Sequence, residues 1–187
     1  MIRRSVIRIL VFSGAFAIAC TAQAVTVPLN RSLLSGDTYQ RLNSAQQMMQ
    51  SGDYNGSLAT LGELASRVKN NNYEYAITEL NIAYVYINHG DYRSALPPML
   101  GAVQQHAMPQ TEQLGAVLDL GKLYARAGQY DDAQRVVNAY LKADQSPPPD
   151  ADMLVADIYA GLGQCRSALP YAKRALDNDS SAPESWY

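Results

Sequence analysis

Residues 82–95, with the sequence IAYVYINHGDYRSA, decide the fold of this chain of 187 residues. Their order of small residue, tyrosine, glycine turn and alanine recurs around four glycines that are 38, 38 and 35 residues apart. The four turns are Gly52-Asp53-Tyr54, Gly90-Asp91-Tyr92, Gly128-Gln129-Tyr130 and Gly163-Gln164-Cys165. Repetition at this period is typical of stacked helical hairpins, none of which buries its apolar face alone. The sequence therefore predicts an all-α fold of repeated hairpins.

The four copies agree position by position when they are aligned on the turn glycine. A small residue stands seven places before it, where two helices must approach closely: Ala45, Ala83, Gly121 and Ala156. Apolar residues nine and twelve places after it share one face of a second helix. Glycine adopts the left-handed conformation at a helix end without steric cost, and Asp53 and Asp91 are placed to cap the next helix. Each copy therefore predicts a helix, a tight turn and a helix.

This pattern resembles the tetratricopeptide repeat family from about Thr38 to the end of the chain. The resemblance implies a right-handed α-solenoid of stacked helical hairpins that serves as a scaffold for other proteins. It implies four repeats at about 38–71, 76–109, 114–147 and 149–182, with 183–187 as the start of a truncated fifth repeat. Asp37 is predicted to cap the first helix, and Asp150 to cap the start of the fourth repeat. Cys165 is predicted to be buried in place of a turn tyrosine.

The resemblance also implies where a partner binds, since first helices of this family line a concave groove with positions shortly before the turn glycine. Carried onto this chain, these positions are Gln46, Gln50, Tyr84, Asn88, Lys122, Arg126 and Asp157. Lys122 and Arg126 lie four residues apart and present two cations on one helix face. Two alternatives stay open for this pair. It either clamps a carboxylate of the partner, or it is solvated and pairs with Asp119 or with acids of the second helices.

The amino-terminal end carries the features of a secretory signal. Three arginines precede an apolar run at 9–19, and Ala22-Gln23-Ala24 follows it as a small-residue cleavage site. This run is too short to span a bilayer. We expect a signal peptide at 1–24, an irregular lead-in at 25–37 and a periplasmic protein that begins near Val25. The alternative is an outer-membrane lipoprotein, because 17–20 also resembles a lipoprotein processing box in which Cys20 is lipidated.

Two short stretches narrow the resemblance. The sequence ALPY at 168–171 and the end ESWY at 184–187 are similar to exported tetratricopeptide proteins associated with TonB-type energy-transducing systems. Membership implies a scaffold that helps couple an inner-membrane motor to outer-membrane uptake. The alternative is an outer-membrane lipoprotein that assists pilus or secretin assembly. Lipidation at Cys20 would favour the second.

Composition argues against other classes of function. Without the three arginines of the signal, 12 Lys and Arg face 17 Asp and Glu, a formal charge of −5 that does not suit a nucleic-acid partner. His89 and His106 have no second histidine or cysteine at ligand spacing, so no metal is predicted. No nucleophile, base and metal occur together. We therefore expect a protein that is not an enzyme and that needs no cofactor.

Overall fold

The computed structural model describes residues 24–144 and 147–178. Within these ranges the chain forms eight helices and no strand: α1 (Gly36–Gln50), α2 (Tyr54–Val68), α3 (Asn72–His89), α4 (Tyr92–Gln104), α5 (Gln110–Arg126), α6 (Tyr130–Ala143), α7 (Pro149–Gly161) and α8 (Cys165–Asn178). The all-α prediction is confirmed for this part of the chain. The predicted signal up to residue 23, with Cys20, and the predicted fifth repeat at 183–187 lie outside the described residues. No helix in the described ranges has the length and hydropathy needed to cross a membrane.

Each predicted turn glycine adopts the left-handed conformation that its position requires. The φ angles of the four glycines lie between 73° and 85°, a region that other residues enter at a steric cost. Asp53 caps α2 by accepting a hydrogen bond from the Gly56 N–H, and Asp91 caps α4 in the same way through the Ser94 N–H. The helix–turn–helix prediction and both of these caps are confirmed.

Two other predicted caps are wrong. The cap of α1 is Ser35, whose hydroxyl accepts from the Thr38 N–H, while Asp37 lies in the first turn. Pro148 is the capping residue of α7, and its side chain has no hydrogen bond to donate or accept. Asp150 lies inside the first turn of α7 and pairs with a lysine of α5. A carboxylate is also favourable in the first turn because of the helix dipole, so sequence alone does not separate the two positions.

The hairpins pack in chain order. Each helix contacts the next, and beyond these neighbours α1 contacts α3 and α5 contacts α7. Hydrogen bonds from Tyr73 and Tyr84 of α3 to acidic side chains of α5 connect the second hairpin to the third. The first helices α1, α3, α5 and α7 therefore lie side by side, and the surface that they form is called the inner face below.

The small residues before the turns lie where helices approach closely. Ala45 and Ala83 are fully buried, and Gly121 of α5 is buried against α6. A Cβ added at Gly121 would lie 2.6 Å from Cγ2 of Val137, closer than packed carbon atoms allow. The prediction of close helix contact at these positions is confirmed.

The turn tyrosines contact the next hairpin, whereas Cys165 at the corresponding position is exposed. Tyr54 donates a hydrogen bond to the Asn88 carbonyl at 3.3 Å, and Tyr92 accepts one from Arg126 at 3.2 Å. Each tyrosine therefore covers the first helix of the next hairpin. Cys165 is the first residue of α8, and its side chain is exposed. The prediction that it is buried is wrong.

Candidate functional site

The lead-in before α1 lies against the inner face. Residues 24–29, called the lead-in segment below, have no regular secondary structure. Asn88, near the end of α3, binds both backbone groups of Val25: its Nδ2 donates to the Val25 carbonyl and its Oδ1 accepts from the Val25 N–H, each at 2.9 Å. Nδ2 also donates to the Tyr84 carbonyl at 2.7 Å, which fixes the amide orientation. Such a contact recognises the backbone of a chain and not its sequence.

A second amide side chain binds the segment two residues further on. Gln46 of α1 donates through Nε2 to the Val27 carbonyl at 2.9 Å and to Oδ1 of Asn81 at 2.8 Å. Asn81 is buried on α3 and donates in turn to the Ile77 carbonyl at 2.8 Å. Val27 itself is 7 % exposed and belongs to an apolar cluster that extends from the first hairpin to α5. Because alternate residues meet the same wall, the segment runs along it as an extended chain.

A cavity of about 280 Å³ opens beside the lead-in segment, between α3 and α5. Its wall is mainly apolar and is formed by Val27, Pro28, Ile77, Leu80, Tyr84, Thr111, Glu112, Gly115, Ala116 and Asp119. The Tyr84 hydroxyl donates to the Asp119 carboxylate across this gap. Burial, followed by the negative charge of Asp119, raises the pKa of Tyr84 above its ordinary range, so the hydroxyl remains a donor.

A larger cavity of about 560 Å³ lies on the inner face of the last two hairpins. Its wall consists of Lys122, Ala125, Arg126, Tyr130, Asp150, Met153, Leu154, Asp157, Ala160 and Gly161. No segment of the described chain crosses this wall as the lead-in segment crosses α1 and α3. Among residues 24–144 and 147–178, the inner face thus has an amino-terminal half that the lead-in segment occupies and a carboxy-terminal half that is open.

The open half carries charges of both signs. Lys122 Nζ lies 2.8 Å from Oδ2 of Asp150 and 3.4 Å from Oδ1 of Asp119. Partial burial lowers the pKa of Lys122, but the hydrogen bond and charge of Asp150 and Asp119 outweigh burial and leave it raised. Desolvation raises the pKa of the Asp157 carboxyl. Arg126 lies over the ring of Tyr92, 5.4 Å from its centroid.

The structure brings the predicted groove residues together in two groups. Gln46, Tyr84 and Asn88 meet at the lead-in segment, while Lys122, Arg126 and Asp157 line the open cavity. Gln50, the last residue of α1, is exposed and lines neither cavity. The pairing of Lys122 with Asp119 agrees with one of the two alternatives for the cationic pair. Its other partner, Asp150, lies on the first helix α7 and was not among the acids named for that alternative. A partner's carboxylate would have to compete with both of these acids.

Sequence reasoning missed several residues of this site. Met49 of α1 is one of them: its side chain is 3 % exposed, and Nδ2 of Asn88 donates to its sulfur at 3.4 Å. Asn81 is another, and the sequence offered a signal for it: an asparagine in the middle of an apolar helix face indicates a buried amide that needs a hydrogen-bond partner. The alternating Val25-Thr26-Val27 was an available signal for an extended segment.

No group of histidine, cysteine and acidic side chains suited to a metal occurs within residues 24–144 and 147–178. His89 stacks edge-on against Tyr54, with ring centroids 5.0 Å apart. Gly161 is the last residue of α7, and the ring of Tyr130 occupies the space that its Cβ would take. The missing side chain of Gly161 lets Tyr130 of α6 pack directly against α7.

Comparison with known proteins supports the repeat architecture. Residues 118–183 match the family model described as tetratricopeptide repeat, so the resemblance to that family is confirmed for this segment, which takes in most of α5 and all of α6 to α8. No curated protein matches the sequence. Among solved structures, the chain is similar to one described as the crystal structure of MamA protein, with 15 % identity and a TM-score of 0.47 over 75 % of this chain and 91 % of that one.

Proposed function

We propose that this chain is a scaffold that binds extended segments of partner proteins along its inner face. Tetratricopeptide repeats are protein-interaction modules, and a stack of hairpins offers a long surface for such contacts. One observation carries the proposal most directly. The inner face already holds an extended segment, through side chains that bind its backbone at Val25 and Val27. The open cavity continues this wall on α5 and α7 and is the proposed site for a partner.

The open cavity suits a mixed-charge or neutral peptide segment better than a strongly acidic one. Lys122 and Arg126 are balanced there by Asp150 and Asp157, and Lys122 is already paired. Leu154 and Met153 add apolar surface, so a partner segment would bury apolar side chains between polar anchors. We propose no catalytic role for these groups.

Photo-crosslinking tests this proposal with a matched pair of alanines. Ala160 is exposed and lines the open cavity, while Ala139 is exposed on the second helix α6 and lies outside both cavities. A photoreactive residue at position 160 should capture a defined protein in intact cells, and the same residue at 139 should not. Equal capture from both positions, or none from 160, would contradict binding at the inner face.

A second variant links capture to the cavity wall. Leu154→Asp would place a charge in the apolar wall but also disturb the core, because Leu154 is 7 % exposed, whereas Asp157→Lys changes only an exposed side chain. Asp157→Lys should weaken the capture from position 160 and leave the helical signal in circular dichroism unchanged. Unchanged capture would show that Asp157 does not contribute to binding and would contradict the charge balance proposed for the open cavity.

We further propose that the protein is exported to the periplasm and serves a TonB-type envelope transport system. The signal-like residues 1–24 and the similarity of 168–171 and 184–187 to such proteins support this proposal. Cell fractionation with mass analysis of the mature amino terminus tests it. A protein that begins at Val25 supports a free periplasmic scaffold, an acylated Cys20 supports the lipoprotein alternative, and an unprocessed chain contradicts export.

A further inference from the structure

We propose that the lead-in segment is an intramolecular occupant of the amino-terminal half of the inner face, and that partner segments which replace it there share its pattern. That pattern is an extended chain with an aliphatic residue followed directly by proline. The proposal rests on the proposed function and deepens it, because it names the chemistry of the segment that the amino-terminal half of the inner face accepts.

Backbone contacts set the conformation that the groove accepts. Asn88 binds the N–H and the carbonyl of Val25, and Gln46 binds the carbonyl of Val27. A helix uses these backbone groups internally, so only an extended chain presents them to the two amides. The contacts connect residues 63 positions apart for Asn88 and 19 positions apart for Gln46, so they hold the segment onto hairpins of the repeat stack.

Side-chain burial sets the sequence preference. Val27 is 7 % exposed, whereas Val25 is 54 % exposed. The groove therefore buries the side chain at the position of Val27 and leaves the side chain of Val25 in solvent. Pro28 follows Val27 on the wall of the smaller cavity. Proline holds the residue before it in the extended region and has no N–H that would need a partner against this apolar wall. An aliphatic residue followed by proline therefore fits both the burial and the backbone.

The short connection makes the segment an effective competitor. Only residues 30–35 separate the lead-in segment from the first residue of α1. A connection this short gives a released segment an effective concentration of about 1 mM. A segment that binds as a separate peptide with a Kd of about 0.1 mM would thus fill its own groove about nine-tenths of the time and weaken a competing peptide about tenfold.

The test uses the full chain and a synthetic peptide with the sequence of residues 24–31, AVTVPLNR, labelled at its carboxy terminus. Val27→Asp in the protein places a charge at the buried position and should release the segment. Val25→Asp is the matched control, because its side chain is exposed. We expect the peptide to bind the Val27→Asp protein about tenfold more tightly than it binds the unaltered and Val25→Asp proteins.

Two further measurements keep the outcome decisive. Asn88→Ala in the Val27→Asp protein should abolish peptide binding, and a peptide that carries aspartate in place of its second valine should not bind. Circular dichroism establishes that the Val27→Asp protein, with and without Asn88→Ala, is folded. The proposal is overturned if the folded Val27→Asp protein binds no peptide, or if the unaltered protein binds it equally well. Capture from position 160 is measured independently, so this failure leaves the proposed function standing.

Discussion

Replacement of Gly121 by alanine tests how closely the hairpins pack. Gly121 faces α6, and a Cβ there would lie 2.6 Å from Cγ2 of Val137, which is 1 % exposed and has no open space to move into. The same substitution at Gly62 provides the matched control. Gly62 is exposed in the middle of α2, and nothing lies within 4 Å of its added Cβ.

The expected free energies follow from two opposing effects. Alanine favours a helix interior over glycine by about 1 kcal/mol, and this gain applies at both positions. An added methyl group in a packed core costs about 1–3 kcal/mol, and this cost applies only at Gly121. The gain cancels in the comparison. The free energy of unfolding of Gly121→Ala should therefore lie about 1–3 kcal/mol below that of Gly62→Ala.

Urea denaturation followed by circular dichroism measures this difference. Both variants should unfold with the slope of the parent protein, so that midpoints report stability. Val137→Ala removes the clashing methyl groups, and in that background Gly121→Ala should stabilise the protein as Gly62→Ala does. Equal stability of the two single variants would refute the close approach of α5 and α6.

Three further predictions concern an ion pair, a tyrosine and a second close approach. Arg174→Ala leaves the carboxylate of Asp152, which is 5 % exposed, without the guanidinium that binds it. The free energy of unfolding should fall by only about 1 kcal/mol, because the arginine is half exposed. An unchanged urea midpoint would show that the ion pair does not stabilise the fold. Burial, and then an acidic neighbour on α5, raises the pKa of Tyr73 from 10.0 to about 12. The protonated hydroxyl of Tyr73 therefore contributes stability that is fully present below pH 10 and is lost as the pH rises through 12. Tyr73→Phe should therefore lose less stability over that interval than the parent, and an equal loss in urea titrations at each pH contradicts this. Gly161→Ala forces a Cβ into the ring of Tyr130 and should lower the free energy of unfolding by about 1–2 kcal/mol. In a Tyr130→Ala background the same substitution should cause no further loss. Additive losses in the double variant would show that the ring is not the obstacle.

Local rules account for the parts of the fold that sequence predicted well. The left-handed turns require glycine, and the close approach on α5 requires a small residue, so both leave a mark at fixed positions of every repeat. Caps were less predictable. Ser35 and Asp37 are both suitable residues within the same three positions, and only the backbone decides that the serine caps α1.

The site depends on contacts between distant residues, which leave little trace in a local pattern. The family resemblance named Gln46 and Asn88, but not the segment that they hold, because the partner of Asn88 lies 63 residues away. The partners of Lys122 come from its own helix and from the next hairpin, and the periodicity specifies neither. Periodicity identifies the wall of a groove, whereas its occupants and charge balance depend on the folded chain.

The anchoring of Val25 has a consequence for orientation at a bilayer. Asn88 fixes this residue beside the end of α3, so any group attached upstream leaves the molecule at the edge of the inner face. Cys20 precedes Val25 by five positions, and an extended chain over that interval spans at most about 18 Å. A lipid on Cys20 would thus hold the groove next to the membrane surface and restrict it to partners that reach there, while cleavage after Ala24 would let the molecule diffuse and meet partners from any side.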